Sequence, residues 1–288
     1  MVPKEKANFV SMLGRIIILV ALGVVFTRPY PSYGQGCECF EDDKKVFFFY
    51  WGYNRSAYLR SDLKMHGAGY NYELSQVFAK DKPEEFDPRV YFNLFKLSIP
   101  QFNIRLGYRL NEKWAVSLGY DHMKYVVQSG QETTLSGTID SSASSQYAGV
   151  YDNANFYLTD NFLHFEHTDG LNFITVELDY VSTLWTSDNR KFWLENRSGI
   201  APGVLYPRTD VNIFGTPGPN IWNLAGGGVA LKSEMRLNMW KYFFIQTTAK
   251  AGLLFLPRIQ TTGNKGEYAK QNIQFLEGFW AVGANFKI

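Results

Sequence analysis

The chain has 288 residues and a formal charge of +2, and 45% of its residues are hydrophobic. That length is enough for one domain. Residues 1–34 hold four basic residues against one acidic residue, so the rest of the chain has a formal charge of −1. A chain this close to neutral lacks the basic footprint of a nucleic-acid-binding protein, and nucleic acid is excluded as a partner. After residue 34 no apolar run is long enough for a transmembrane helix, so any membrane span must consist of strands.

The N-terminus has the layout of a secretory signal peptide. Three basic residues precede an apolar run at 16–26 that is too short to span a bilayer as a helix. Small residues at the −3 and −1 positions predict cleavage before Gln35, and a retained N-terminal anchor is the alternative. The predicted divisions are a signal peptide at 1–34, an N-terminal periplasmic segment at 35–44 and a membrane domain at 45–288.

Cysteine and histidine spacing predicts no metal site and no cofactor. Cys37 and Cys39 follow the predicted cleavage site, and a disulfide across one intervening residue is strained. We expect two unreactive thiols or a loose local bridge; lipidation of Cys37 is the alternative, although the residues before it make a poor lipoprotein signal. Two cysteines alone are too few ligands for zinc. His164 and His167 lie three apart in an extended segment and point to opposite faces, so they are not paired ligands.

Three short polar turns, at 110–113, 186–190 and 238–241, separate segments in which apolar and polar residues alternate. Longer polar segments lie between these hairpins, at 57–97, 129–170, 205–223 and 259–267. Outer-membrane barrels place short turns on the periplasmic side and long loops outside, and they contain an even number of strands. We predict an all-β fold, a closed antiparallel transmembrane β-barrel with eight strands at 45–56, 98–110, 113–128, 171–185, 190–204, 224–239, 241–258 and 268–288.

A larger strand count is the alternative. Residues 63–77 and 133–139 also have extended patterns, and 162–167 could form a hairpin of its own. Counted as membrane spans, these segments would give ten or twelve strands. The eight-strand interpretation treats them as strand extensions or as small sheets above the membrane.

The last nine residues alternate along one strand, and the chain stops where the strand stops. Trp280, Val282, Ala284, Phe286 and Ile288 share one face. An exposed apolar terminal strand promotes aggregation in a soluble protein, whereas a membrane barrel needs such a strand to close. Here the chain resembles the bacterial outer-membrane β-barrel proteins, whose last strand usually ends on an aromatic or aliphatic residue. The resemblance implies the outer membrane of a Gram-negative bacterium.

Charged residues recur on the strand face opposite the apolar one. Charges at bilayer depth persist when they face the interior and are paired, and an eight-stranded barrel is just wide enough for side chains to fill. Equal numbers of acidic and basic groups in so narrow a lumen predict a salt-bridged plug instead of a channel. The predicted lumen charge network consists of Arg105, Arg109, Asp121, Glu177, Asp179, Glu195, Arg197, Lys232, Glu234, Arg236, Lys250 and Glu277.

If the barrel is filled, function must lie in the outer loops or on the outer wall. The first long loop and the upper end of the third strand are basic and aromatic, and the loop at 205–223 is apolar for an exposed segment. We predict a structural or accessory component whose rim contacts outer-membrane lipids, including lipopolysaccharide, or other outer-membrane proteins. The predicted contact residues are Asn54, Arg55, Arg60, His66, His122, Lys124, Phe214 and Trp222.

A hydrolase of lipid A or phospholipid acyl esters is the first alternative, and a small pore or transporter is the second. In a hydrolase, His122 would act as general base for Ser56 or Ser61. Asp121 is adjacent to His122 on a strand and points to the opposite face, so it does not orient that ring. No nucleophile elbow, metal motif or phosphate loop occurs. The pattern therefore favours a protein that is not an enzyme.

Overall fold

The structure is a computed structural model that describes residues 46–85, 87–91 and 99–287. The predicted signal peptide, its cleavage site, Cys37, Cys39 and Ile288 lie outside the described residues. Within the described ranges, no helix has the length and apolar character needed to cross a membrane.

Strands dominate the described part of the chain, and a single helical turn accompanies them. The elements are β1 (Val46–Tyr58), β2 (Ser61–Gly67), β3 (Tyr70–Val77), β4 (Ala79–Lys80), α1 (Pro88–Tyr91), β5 (Phe102–Arg109), β6 (Trp114–Val127), β7 (Gln131–Ile139), β8 (Gly149–Leu158), β9 (Leu163–Thr186), β10 (Phe192–Leu205), β11 (Arg208–Ile213), β12 (Thr216–Pro217), β13 (Ile221–Trp222), β14 (Gly226–Met239), β15 (Phe243–Gln260) and β16 (Tyr268–Lys287).

Eight long strands form a closed antiparallel ring in the order β1, β5, β6, β9, β10, β14, β15 and β16. The ring closes because every residue of β1 pairs with β16, from Val46 opposite Lys287 to Tyr58 opposite Phe275. A closed ring leaves no edge strand within the barrel wall. The predicted count of eight is confirmed, and the count of ten or twelve is wrong.

Short hairpins connect the ring strands at one end, and their sequences explain the turns. The side-chain oxygens of Asn111 and Asn189 accept hydrogen bonds from backbone N–H groups two residues later, at 2.9 and 3.0 Å. Asparagine stabilises turns in this way because its side chain mimics a backbone carbonyl. Trp240 and Lys241 both have positive φ angles, of 50° and 69°, as a tight hairpin between twisted strands requires.

The outer wall of the ring is apolar. On β9, Ile174, Val176 and Leu178 point outward and are exposed, whereas the residues between them are buried. Exposed aromatic residues lie near the short-turn end, namely Trp114, Tyr180, Trp185, Trp240 and Tyr242. An apolar band bounded by aromatic side chains on a closed ring is the surface that a bilayer requires. The protein is an integral β-barrel of the outer membrane, as the sequence predicted.

Beyond the long-loop end of the ring, the strands continue into an extracellular sheet. Residues 268–271 of β16 pair with β2, and β2, β3, β7 and β8 follow in order. β9 starts at Leu163, eight residues before the predicted start, and its first residues pair with β11. The segment at 162–167 is therefore part of β9 and not a separate hairpin, while 63–77 and 133–139 lie in the extracellular sheet.

Two different interiors are stacked along the barrel axis. The upper interior, which we call the extracellular core, is one apolar cluster that extends under the extracellular sheet. The lower interior combines a small cluster around Phe48, Tyr50, Phe244 and Phe279 with the charged side chains described below. Large members of the extracellular core are Tyr58, Leu63, Met65, Tyr72, Tyr125, Phe162, Phe165, Phe173, Leu205, Leu254, Leu256 and Phe275.

Candidate functional site

All twelve charged residues predicted to face the lumen lie inside the ring, and none is more than 6% exposed. They come from every ring strand except β1. We call this set the lumen network. Its members face inward because strand geometry alternates side chains between the two faces of the wall. Burial of so many charges is tolerated only when they are paired and hydrogen-bonded.

The upper part of the lumen network consists of two cations that share two carboxylates. Arg105 places Nη1 2.7 Å from Asp121 Oδ1 and Nη2 2.8 Å from Glu177 Oε1. Lys250 Nζ lies 2.5 Å from Asp121 Oδ2 and 3.4 Å from Glu177 Oε1. Each group therefore has at least two partners of opposite charge, and these ion pairs hold four different strands together.

In the middle of the lumen network, one ammonium is surrounded by three carboxylates. Lys232 Nζ lies 2.5 Å from Glu177 Oε2 and 3.0 Å from both Asp179 Oδ2 and Glu234 Oε1. The Tyr50 hydroxyl donates a hydrogen bond of 3.1 Å to Glu234 Oε1. Ligand oxygens of the three carboxylates lie within 4.8 Å of one another, a spacing that suits a metal ion. Here the Lys232 ammonium supplies the positive charge.

Near the short-turn end the balance of charge reverses. Glu195 accepts hydrogen bonds from Arg109 Nη1 at 2.8 Å and from Arg197 Nη2 at 3.0 Å. The Arg236 guanidinium lies 3.8 Å from the Phe244 ring centroid and donates through Nε to Gln246 at 2.9 Å. Two guanidinium groups thus share Glu195. The third, that of Arg236, lies 3.9 Å from Glu234 Oε2 and is also stabilised by cation–π contact with aromatic rings.

Glu277 has a different environment from the other carboxylates of the lumen network. It accepts a hydrogen bond of 3.0 Å from Asn103 Nδ2, and the same amide group also donates to Asp121. Among the described residues, no lysine or arginine forms a salt bridge with Glu277. Asn103 therefore links this carboxylate to the ion pairs above.

The rim residues predicted to form one polar cluster are distributed over several environments. Asn54 and His122 are buried, and Asn54 Nδ2 donates to the His122 backbone carbonyl at 3.3 Å. Lys124 is also buried, with Nζ 3.9 Å from Glu84 Oε2. Phe214 is half-buried and packs against Phe162 of the extracellular core.

The other four predicted rim residues are exposed. Arg60 Nη1 donates to the backbone carbonyl of residue 76 at 2.7 Å, and Arg55 Nη1 donates to the carbonyl of the residue before it. The His66 ring lies 5.0 Å from that of Tyr268, and Trp222 stacks on Tyr206. Only these four predicted contact residues keep surface available for a partner.

The residues of the alternative hydrolytic site do not form a base–nucleophile pair. The His122 ring stacks on Phe102, and its Nδ1 lies 2.8 Å from Asn172 Oδ1. Ser61 Oγ accepts from Gln271 at 3.0 Å, and the Ser56 backbone N–H donates to Asp81 at 3.1 Å. In the described ranges neither serine is hydrogen-bonded to His122, and general-base catalysis needs that contact.

One group capable of holding a cation escaped the sequence analysis. Ligand atoms of His164, Glu166 and Asp210 lie within 4.8 Å of one another at the extracellular rim. β9 and β11 bring them together, since Asp210 is the register partner of Glu166. Lys82 Nζ already lies 3.4 Å from Glu166 Oε2, and Asp160 Oδ1 lies 3.6 Å from His164 Nδ1. The alternation of His164 and Glu166 was visible in the sequence, but their pairing with β11 was not.

No protein-family model matches the chain, and no curated protein matches it. Among solved structures it is similar to Ail of Yersinia pestis, with 10% identity over 84% of this chain and 99% of that chain and a TM-score of 0.31. Ail has also been solved with the heparin analogue sucrose octasulfate.

Two further structures are similar at the same level. The outer membrane protein AlkL in lipid bilayers shares 8% identity over 90% of this chain and 96% of that chain, with a TM-score of 0.37. OprG of Pseudomonas aeruginosa shares 10% identity over 85% and 97%, with a TM-score of 0.36. At these values the properties of the similar proteins do not transfer to this chain.

Proposed function

We propose that this protein is a non-conducting outer-membrane barrel that acts as a structural or accessory component. Its extracellular rim and sheet would bind a partner protein or surface lipids. The observation that carries the proposal is that the lumen is filled at two successive levels, by the lumen network and by the extracellular core. With the interior occupied, the surfaces left for function are the outer wall and the two ends of the barrel.

The filled lumen argues against a pore. Opening a path would separate Lys232 from three carboxylates and Arg105 from two. Leaving one partner of a buried ion pair unmatched costs about 3–5 kcal/mol. The path would also have to displace the large aromatic residues of the extracellular core. A transport role would therefore need a rearrangement that the ion pairs oppose.

The extracellular sheet offers a specific surface for a protein partner. Among the described residues, β8 pairs with β7 on one side only. Its Val150 and Tyr157 are 84% and 61% exposed. An exposed edge strand presents backbone donors and acceptors that an extended segment of another protein can pair with. Asn153 has a φ of 46° beside a register shift, so the strand is interrupted there. Pairing would therefore use residues 154–158.

Conductance and site-specific cross-linking test this proposal together. In planar bilayers we expect no stable current steps from the purified protein. A photo-cross-linking residue at Tyr157, on β8, should capture a specific partner in intact cells. The same residue at Trp240, which is exposed in a short periplasmic turn, is the matched control and should not capture that partner.

The opposite outcomes would support the two alternatives. Large and reproducible single-channel steps would indicate a pore. Loss of the same lipid species from a deletion strain and from a His122→Ala strain would indicate a lipid hydrolase and would make His122 catalytic. Unchanged lipids together with a Tyr157 cross-link would support the accessory role.

A further inference from the structure

A basic cavity opens at the periplasmic mouth of the barrel, far from the extracellular surfaces considered above. Its volume is about 250 Å³. It is enclosed by β1, β5, β10, β14 and β16 and by the turn before β15. The side chains that give it its chemistry are Arg109, Arg197, Lys241, Lys287, Asn238 and Asn285, and none of the described residues that line it is acidic.

Two hydrogen-bond donors on the wall of this cavity are buried and have no acceptor among the described residues. They are Nη1 of Arg197 and Nδ2 of Asn238. The other nitrogens of Arg197 are used, since Nε and Nη2 both donate to Glu195 Oε2, at 3.2 and 3.0 Å. A buried donor without an acceptor is unfavourable by about 1–3 kcal/mol, more when it is charged. A ligand that accepts hydrogen bonds would therefore satisfy these two donors.

The charged groups around these two donors are mainly positive. The guanidinium groups of Arg197 and Arg236 lie 5.0 and 4.8 Å from the centroid of the Phe48 ring, which also lines the cavity. Among the described residues, Nη1 and Nη2 of Arg236 likewise have no hydrogen-bond acceptor, although Nη2 lies 3.9 Å from Glu234 Oε2. Glu195 is shared between Arg109 and Arg197, and Glu234 is shared between Arg236 and Lys232. Positive charge in excess, next to unused hydrogen-bond donors, favours an anionic ligand.

We propose that this cavity is an oxyanion-binding site that takes a carboxylate or a phosphate from the periplasmic side. The planar guanidinium group presents its donors in a fork that matches both kinds of anion. Arg197 Nη1 and Asn238 Nδ2 donate to the bound oxygens. Lys241, in the turn between β14 and β15, adds a positive charge at the entrance. The proposal does not depend on the extracellular role proposed above.

The anion has two possible sources. One is a free phosphate or carboxylate compound of the periplasm. The other is the chain itself, since the run Glu41, Asp42, Asp43 is followed only by two lysines before Val46, which lines the cavity. Three extended residues span about 10 Å, which is enough for the carboxylate of Asp43 to reach the cavity from Val46.

The test uses inorganic phosphate as the probe on the purified full-length barrel in detergent micelles. Unfolding is followed in urea, with phosphate titrated against sodium chloride at equal ionic strength. Asn238→Asp places a carboxylate on the cavity wall with little change in shape, so we expect phosphate affinity to fall more than tenfold. Lys241→Gln should weaken phosphate binding several-fold. Asn71→Asp, an identical change at an exposed position on β3, is the control and should leave the affinity unchanged.

A second set of measurements separates the two sources. If the anion is a free compound, phosphate stabilises the unmodified protein, and a Glu41→Gln, Asp42→Asn, Asp43→Asn variant responds in the same way. If the chain supplies its own carboxylates, the unmodified protein does not respond to phosphate, and the triple variant does. The proposal is overturned if neither protein responds. It is also overturned if Asn71→Asp changes the response as much as Asn238→Asp, because the effect is then ionic screening or an adventitious ion only.

Discussion

The membrane-embedded and extracellular halves of the barrel have opposite interiors, although the same strands run through both. On β15, the inward residues Gln246, Thr248 and Lys250 are polar, whereas Leu254 and Leu256 further along are apolar. The switch follows the medium outside the wall. In the bilayer the apolar faces point outward to lipid, so the polar faces point inward. Above it, water surrounds the wall and the apolar faces point inward.

β16 shows the same inversion in the reverse direction along the chain. Its first half buries Ile273 and Phe275 and exposes Gln274 to water. Its second half buries Glu277 and exposes Trp280 to the surroundings of the ring. Along this one strand, the side chains that contribute to the barrel interior therefore change from apolar residues to a charged residue. The change occurs within a few residues, near the boundary between the extracellular core and the lumen network.

The two interiors are held together by different forces. The extracellular core is stabilised by removal of apolar surface from water, which is non-directional. The lumen network depends on specific pairs, and removal of one partner leaves an uncompensated charge. The predictions that follow make the same chemical change at two positions with different surroundings, in order of decreasing effect.

Loss of a central cation should have the largest effect. Lys232→Met leaves Glu177, Asp179 and Glu234 without their shared ammonium, and we expect the barrel to lose about 3–5 kcal/mol of stability. Lys270→Met, at an exposed position in the extracellular half, should change it by less than about 0.5 kcal/mol. Urea unfolding of the refolded proteins measures both values, and equal effects would show that the lumen network does not stabilise the barrel.

A charge added to the outer surface should distinguish the two media. Leu118 and Val150 are both exposed, at 61% and 84%, on the ring wall and on β8 respectively. Leu118→Arg should destabilise the barrel by about 2–4 kcal/mol, because the new charge faces lipid. Val150→Arg should have almost no effect, because it faces water. Refolding yield and urea midpoints in lipid vesicles measure the difference, and similar costs at the two positions would contradict the assignment of the membrane boundary.

The third prediction concerns the pH dependence of the extracellular core, and its effect is the smallest of the three for a change of one pH unit. His167 lies in the extracellular part of β9, and burial lowers its pKa to about 3. Because the unfolded chain takes up a proton on this side chain below pH 6.5 and the folded chain does not, stability falls as pH decreases from 6.5 towards 3. The slope is about 1.4 kcal/mol per pH unit.

Replacement of this histidine should remove that slope. His167→Gln should make urea stability between pH 6.5 and 4.5 less dependent on pH, whereas His66→Gln, at an exposed position, should leave the dependence as it is. An unchanged slope in His167→Gln would mean that other groups are responsible for it.

The sequence by itself determined the ring. Alternation with a period of two marks the two faces of each strand, and turn residues mark the ends of the hairpins, so both features are local. The predicted strand at 113–128 agrees with β6 at Trp114–Val127 within one residue at each end. The charged residues of the lumen network were identified for the same reason, because at bilayer depth only one face of a strand can carry charge.

Only the tertiary structure decided which residues meet. The predicted loops contain β2, β3, β7 and β8, whose pairing with one another and with β16 joins segments far apart in the chain. Above the membrane both faces of a strand can be polar or apolar, so alternation no longer shows which face is buried. The partners of Lys232, the union of His164 with Asp210 and the separation of His122 from Ser61 depend on barrel closure and register. Those are non-local properties, and no local pattern of residues records them.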